Sequence, residues 1–234
     1  MTTQEFFAQL DARIQKHDLL CHPFYKAWSA GELTRQDLGE YARDYYHHVE
    51  AFPTYLAELG IRLDEGELRR AVLANLCDEK GWEDGTGPIA VEHSELWLDF
   101  AEGMGVGREL YGHLPPPEVA ELIGFFHAIA SDGTPEEALA AFYAYESQVP
   151  RVAAEKARGL REIYEASAKT CDYFALHATA DVYHSQVWRE QLRQGLEAHP
   201  ERAEKALAAG ASAAQALWHA LDGMEARRMA KVAA

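Results

Sequence analysis

The stretch that decides the fold is Cys171-Asp-Tyr-Phe-Ala-Leu-His177-Ala-Thr-Ala-Asp181-Val-Tyr-His184-Ser-Gln-Val-Trp188. In an α-helix each residue turns the chain by about 100°, so steps of four and three residues place His177, Asp181 and His184 within about 60° of one another. The stretch therefore predicts a helix with two imidazoles and one carboxylate on the same face. Such ligands together suit iron, manganese or zinc and leave coordination positions open. A polar face in solvent is the alternative that spacing alone leaves open.

Length and composition favour a single all-α domain. The chain has 234 residues, enough for one domain that buries a substantial core, and we expect residues 1–234 to form that domain. Alanine, leucine and glutamate are abundant, and no alternating run rich in valine or isoleucine indicates a sheet. The predicted fold class is therefore all-α.

The net charge of −16 argues against two classes of partner. Nucleic-acid backbone and anionic membrane surfaces are polyanions, which an acidic surface does not attract. The first residues lack the features of a signal peptide, and no apolar run approaches the roughly 18 residues of a membrane span. We therefore expect a cytoplasmic protein that binds neither nucleic acid nor membrane. The expected partners are small molecules and a second copy of the chain in a homodimer.

Glycine, proline and capping residues divide the chain into helices. Thr134-Pro-Glu-Glu137 is a capping box with proline at the first helical position. The helix it opens is expected to run to Ile163 with a kink at Pro150, whose missing N–H would have bonded the carbonyl of Glu146. Gly81-Trp-Glu-Asp-Gly-Thr-Gly-Pro interrupts the helical pattern. The predicted starts, in chain order, are near Thr3, Pro23, Thr34, Asp64, Val91, Pro115, Thr134, Asp172 and Pro200.

Glu146 is the best candidate for an acidic ligand on another helix. It lies among Phe142, Tyr145, Val149 and Pro150, where a buried carboxylate would be unpaired without a cation. Dimetal sites in helical bundles take inward-facing Glu and His side chains from several helices. The alternative is an ordinary salt bridge at the boundary of the core.

A second pair of candidates flanks the glycine-rich break. Glu79 closes the helix before the break, and His93 opens the helix after it, beside Trp97. Glu83 and Glu92 compete with Glu79 for the acidic role. Each of these acids is also compatible with a solvated helix end.

Five strings in this order resemble the chlamydial protein associating with death domains and its bacterial relatives, a family of haem-oxygenase-like dimetal oxidases. The similarity spans about residues 5–195. It implies a haem-oxygenase-like bundle of seven to eight helices, as in TenA and PqqC, with no haem and a dinuclear site of two irons or of iron and manganese. The strings are His22-Pro-Phe-Tyr-Lys-Ala-Trp, Tyr45-Tyr-His-His-Val-Glu-Ala-Phe-Pro, His93-Ser-Glu-Leu-Trp, Tyr145-Glu-Ser-Gln-Val-Pro and His177-x-x-x-Asp181-x-x-His184.

The resemblance also implies a set of metal ligands. Glu79 is the member that departs from the family pattern, because the family usually places its first Glu only about two turns before the His. Residues 82–91 look like an insertion in this chain, so Glu83 is kept as the substitute for Glu79. The implied ligands are Glu79, His93, Glu146, His177, Asp181 and His184.

The function implied by the resemblance is the synthesis of para-aminobenzoate for folate without the usual chorismate route. The protein would be its own substrate, since metal-activated O2, with an unidentified reductant, would cut a tyrosine side chain from the backbone. Tyr25 matches the sacrificed tyrosine, Tyr41 a second tyrosine near the site, and Lys156 the amino donor. The residues alone assign Tyr25 to the core and Lys156 to the surface, because an unkinked helix points Lys156 roughly 80° away from Glu146.

Three other functions fit parts of the sequence. The first is a dimetal oxidase of the same fold that acts on an external amino acid or fatty acid. The second is a helical interaction protein without enzyme activity, although no basic or apolar recognition stripe supports it. The third is a cofactor-independent relative of the thiaminase or quinone-biosynthesis branches, against which the His177-Asp181-His184 triplet counts.

Overall fold

Helices account for nearly all of the computed structural model, which describes residues 1–82, 91–110 and 112–232. None of these residues forms a β-strand, so the predicted all-α class is confirmed. Their ten α-helices exceed the seven to eight that the resemblance implies. The helices are α1 (Thr3–Gln15), α2 (Pro23–Ala30), α3 (Arg35–Arg62), α4 (Glu67–Glu79), α5 (His93–Gly103), α6 (Pro117–Asp132), α7 (Pro135–Glu146), α8 (Val149–Glu162), α9 (Ala168–Ala198) and α10 (Ala203–Val232).

Side-chain caps fix where several helices begin. The Thr134 hydroxyl accepts the N–H of Glu137, whose carboxylate accepts the Thr134 N–H, so the predicted capping box of α7 is confirmed. Thr34 begins α3 in the same way. The start of α9 lies four residues earlier than Asp172, because the Ser167 hydroxyl accepts the N–H of Thr170.

The prediction of one kinked helix from residue 134 to 163 is wrong. The chain forms two helices, α7 and α8, separated by Ser147 and Gln148. Pro150 lies in the first turn of α8, where its missing N–H costs no helical hydrogen bond. The Gln148 side chain fastens the break by accepting the N–H of Leu19 at 3.0 Å and donating to the Ala144 carbonyl at 3.1 Å. The break gives α8 a direction independent of α7.

The long helix α9 lies at the centre of the bundle. It packs against α8, α7 and α5, while α3 covers α6, α4 and α5, and α10 packs along α7, α6 and α1. The buried apolar side chains of these helices form one continuous cluster that includes Trp28, Trp97 and Trp188. In the described part of the chain, no helix has both the length and the apolar character that crossing a bilayer requires.

Candidate active site

A small cavity at the centre of the bundle collects most of the predicted metal ligands. Glu79 from the end of α4, Glu146 from the end of α7, and His177 and Asp181 from α9 line it. All four side chains are at most 5% exposed. The helical spacing of α9 and the ends of two neighbouring helices thus bring together residues that lie far apart in sequence.

One half of the site is formed by Glu79, His93 and His177. One ligand atom from each lies within 4.8 Å of the others. His93 Nδ1 lies 2.8 Å from Glu79 Oε2, but the two atoms are not aligned for a hydrogen bond. Nδ1 of His177 lies 2.7 Å from the carbonyl oxygen of Tyr173, so Nδ1 carries the proton and Nε2 is the free donor atom.

The other half is formed by Asp181, His184 and Glu146. His184 lies between two carboxylates, with Nδ1 3.3 Å from Asp181 Oδ1 and Nε2 3.2 Å from Asp78 Oδ2. Burial favours the neutral imidazole, but the carboxylates of Asp181, Glu146 and Asp78 raise the pKa of His184 to about 9. Burial, reinforced by the charge of Asp181, raises the pKa of Glu146 well above its usual range.

The donor set fits divalent cations. Three carboxylates and three imidazoles are buried around this cavity, and such a concentration of ionisable groups needs cations for compensation. Two ligands of one ion, each at about 2.1 Å, lie about 3 Å apart when they are perpendicular, which matches the 2.8 Å between His93 Nδ1 and Glu79 Oε2. Burial would raise the pKa of Glu79, but the neighbouring imidazoles lower it below its usual value.

Glu92, the rival acid that lies within the described residues, is not part of the group formed by Glu79, His93 and His177. Glu92 contacts the Lys80 ammonium and accepts the hydroxyl of Ser94 at 2.8 Å, at the margin of the site. Glu83 lies outside the described residues. Among the described residues, Glu79 is the acid that lies beside His93.

A second group of predicted residues, Tyr25, Tyr41 and Lys156, forms a closed triangle in the core. Lys156 Nζ donates to the Tyr25 hydroxyl at 2.7 Å and to the Tyr41 hydroxyl at 2.6 Å. The two hydroxyls are 3.0 Å apart and hydrogen-bonded to each other. The three side chains come from α2, α3 and α8, so the triangle exists only in the folded protein.

Lys156 is buried, and its assignment to the surface from the residues alone is wrong. Its Nζ lies 4.2 Å from the ring centre of Tyr25 and 5.4 Å from that of Phe174, and the described residues provide it with no carboxylate. Burial lowers the pKa of Lys156 well below its usual value.

A close helix contact keeps Lys156 at this position. Gly159, one turn later on α8, faces Trp28 of α2, and a Cβ at Gly159 would lie 2.9 Å from the indole ring. Glycine therefore allows α8 to approach α2 more closely than any other residue would.

Two tyrosines connect the triangle with the carboxylate and histidine cavity. Tyr145 and Tyr173 line that cavity, and they also line the pocket that contains Tyr25 and Lys156. The Tyr173 ring stacks on His177 with ring centres 4.0 Å apart. The two groups of predicted residues are thus neighbouring compartments of one site.

Comparison with known proteins places the chain in a family. The sequence profile described as iron-containing redox enzyme matches residues 39–219. The protein belongs to this family of iron-containing redox enzymes. Its relatives include the 4-aminobenzoate synthases of Chlamydia trachomatis, 38% identical over 93% of this chain and 90% of that one, and of Nitrosomonas europaea, 36% identical over 96% and 92%. The resemblance stated from the five strings is confirmed.

The fold of this iron-containing redox enzyme is also found among solved structures. A TenA homologue from Pseudomonas syringae superimposes with a TM-score of 0.78 at 18% identity, over 94% of this chain and 91% of that one. The haem-oxygenase-like architecture that the resemblance implies is thereby confirmed.

Several residues that contact the candidate ligands were not among the sequence candidates. Trp188 and Asn75 donate hydrogen bonds to Glu146, and Asp78 contacts His184. Helical spacing contained a signal for two of them. Trp188 follows His184 by four residues, and Asn75 precedes Glu79 by four, so each lies on the same face as a ligand.

Proposed function

We propose that the protein is a dinuclear-metal oxygenase that makes 4-aminobenzoate from its own Tyr25, with Lys156 as the source of nitrogen. Two relatives with this synthase name cover nearly the whole chain. The observation that carries the proposal is the 2.7 Å contact between Lys156 Nζ and the Tyr25 hydroxyl, both of them buried.

The chemistry of the product explains why this contact matters. 4-Aminobenzoate has a carboxyl group and an amino group at opposite positions of one ring, and a tyrosine side chain has a methylene and a hydroxyl at the same two positions. Nitrogen must therefore replace the phenol oxygen, which leaves as water, and the Cε–Nζ bond of Lys156 must break to release that nitrogen. The methylene carbon must be oxidised to the carboxyl carbon as the Cα–Cβ bond is cut, with O2 as the oxidant. The amine of Lys156 lies at the end of Tyr25 where nitrogen is required.

Metal binding is assigned to the six ligands implied by the resemblance. Glu79, His93 and His177 would hold one ion, and Glu146, Asp181 and His184 would hold the second. Two irons, or iron and manganese, would supply the oxidising chemistry of O2 with electrons from an external reductant.

The chain's own residues prepare Tyr25 for this chemistry. The Tyr41 hydroxyl, 3.0 Å from that of Tyr25 and 2.6 Å from Lys156 Nζ, holds both groups in one orientation. Burial lowers the pKa of Lys156 well below its usual value, which favours the neutral amine whose lone pair the reaction needs. Trp28 and Phe174 cover the amine and exclude water, which would compete with nitrogen at the ring carbon.

Isotope labelling tests the proposal. Protein grown separately with 13C-tyrosine and 15N-lysine is loaded with iron and manganese and exposed to reductant and O2, and the product is analysed by mass spectrometry. We expect 4-aminobenzoate that contains the ring label and the lysine nitrogen, with a mass loss localised to Tyr25 by peptide mapping. Labelled ring in the product alongside an intact Tyr25 would contradict self-sacrifice.

An external substrate is the second candidate function, and a groove favours it. Leu96, Leu176 and Ala180 line an open groove that reaches His93 and His184 from outside the cavity. An amino acid or fatty acid placed there would lie beside the ligands. Replacing Tyr25 by Phe separates the two functions, because turnover of an added substrate would survive that change.

A homodimer and an external reductant remain predictions. Light scattering of the metal-loaded protein measures the mass of the assembly directly. Activity with chemical reductants of graded potential defines the driving force that the natural donor must supply.

A further inference from the structure

The carboxylate of Glu146 is held from both sides by residues outside the ligand set. We propose that Trp188 and Asn75 are positioning residues that fix Glu146 as a metal ligand. This inference rests on the dinuclear site of the proposed function and adds the residues that orient one of its carboxylates.

Trp188 holds one oxygen of Glu146. Its indole N–H donates to Glu146 Oε2, and the tryptophan side chain is 0% exposed. The ring packs against Phe142, one turn before Glu146 on α7, with ring centres 5.8 Å apart. An indole N–H donates and never binds a metal, so this contact orients the carboxylate without competing for the ion.

Asn75 contacts the other oxygen of Glu146. Its Nδ2 donates to Glu146 Oε1 at 3.4 Å, and the side chain is 4% exposed. Asn75 Oδ1 is buried and has no partner among the described residues. A buried amide with an unsatisfied oxygen costs free energy, which indicates that its placement serves the contact with Glu146.

The two donors come from the two helices that contribute most of the other ligands. On α9, Trp188 follows His184 by one turn, and on α4, Asn75 precedes Glu79 by one turn. Each helix therefore contributes a ligand and, one turn away, a donor to Glu146. Glu146 itself is the last residue of α7, where its backbone is not enclosed by further helical turns. Donors on rigid neighbouring helices compensate for this terminal position.

The repulsion between carboxylates gives these donors their importance. The negative charge of Asp181 acts on Glu146 within the same cavity. Without N–H donors, a buried carboxylate beside another would turn away, and that change removes a ligand. Outer hydrogen-bond partners of metal ligands typically affect metal affinity by about 10- to 100-fold.

Anaerobic titration with Mn(II), followed by calorimetry and by the electron paramagnetic resonance of unbound Mn(II), tests this role. We expect the wild type to bind two ions. Trp188→Phe and Asn75→Ala should each retain one ion with wild-type affinity and bind the second roughly 10- to 100-fold more weakly. Trp218→Phe is the control, because Trp218 lies on α10, packs against His22 and lines neither compartment of the site. It should bind both ions like the wild type.

Thermal unfolding separates positioning from simple packing. If the residues only pack, each variant loses stability without metal, and Mn(II) then raises the melting temperature as much as it does in the wild type. Positioning instead reduces the Mn(II)-induced increase. If both variants bind two ions with wild-type affinity, the positioning role is overturned and the dinuclear site is not. Fewer than two ions in the wild type would overturn the dinuclear site, and this inference with it. If Trp188→Phe does not fold, Asn75→Ala decides the result.

Discussion

Replacing Lys156 by methionine tests whether the buried amine is neutral. Methionine keeps an unbranched chain of similar length and removes the nitrogen. In the wild type the amine is surrounded by the rings of Tyr25, Tyr41, Trp28 and Phe174, and burial lowers its pKa well below its usual value. In the unfolded chain the same amine has a pKa of about 10.4. The two states therefore bind different numbers of protons over a range of pH.

The magnitude follows from proton linkage. Between the lowered pKa of the folded state and about 10.4, the unfolded wild type binds one proton more than the folded protein at Lys156, so its free energy of unfolding rises with pH. The slope approaches about 1.4 kcal/mol per pH unit, and it disappears below the folded pKa, where both states are protonated. The methionine variant lacks this contribution. The stability advantage of the variant should therefore shrink as pH rises.

Urea unfolding of both metal-free proteins between about pH 6 and pH 9 measures the difference between their free energies of unfolding. This pH range lies below the pH at which unfolded tyrosines ionise. Contributions from all other groups cancel in the comparison. A difference between wild type and variant that is constant over the whole range would refute the reasoning. It would mean that the folded amine keeps its proton, and a protonated amine has no lone pair with which to attack a ring.

Three further changes are expected to have distinct effects. Tyr25→Phe should abolish 4-aminobenzoate and leave the protein mass unchanged after exposure to O2, and product from this variant would refute the assignment. Gly159→Ala should push α8 away from Trp28 and lower product yield roughly 10- to 100-fold, because the Lys156 amine is then misplaced. An unchanged metal content would show that the effect is local. Glu79→Gln should reduce bound metal by elemental analysis, whereas Glu92→Gln should not, and the opposite pattern would reassign the ligand.

Helical periodicity predicts one part of the site well. His177, Asp181 and His184 lie on one helix, so their common orientation follows from spacing and does not depend on how helices pack. The spacing to Trp188 extends the same face by one turn. Helical spacing therefore predicts that Trp188 lies on the same face of α9 as the triplet.

The positions of Lys156 and Glu79 depend on how the helices pack. Lys156 points away from Glu146 on an uninterrupted helix, and only the break at Ser147 and Gln148 allows α8 to turn it toward Tyr25. At the break, Gln148 accepts a hydrogen bond from the N–H of the distant residue Leu19. No local pattern contains that information. The approach of Glu79 to His93, which lie on different helices, is equally a result of packing.

The burial of Tyr25 means that the folded chain becomes less stable once the side chain has been removed. Its side chain is 4% exposed and surrounded by core aromatics. Removing a large buried aromatic side chain costs about 3–5 kcal/mol, a large share of the roughly 5–15 kcal/mol that stabilises a typical protein. A chain that has released its ring would therefore retain a void and lie close to unfolding. Under the proposed function each molecule yields one product at most, so ribosomal output would set the supply of the vitamin precursor, and proteolysis would clear the expended chains.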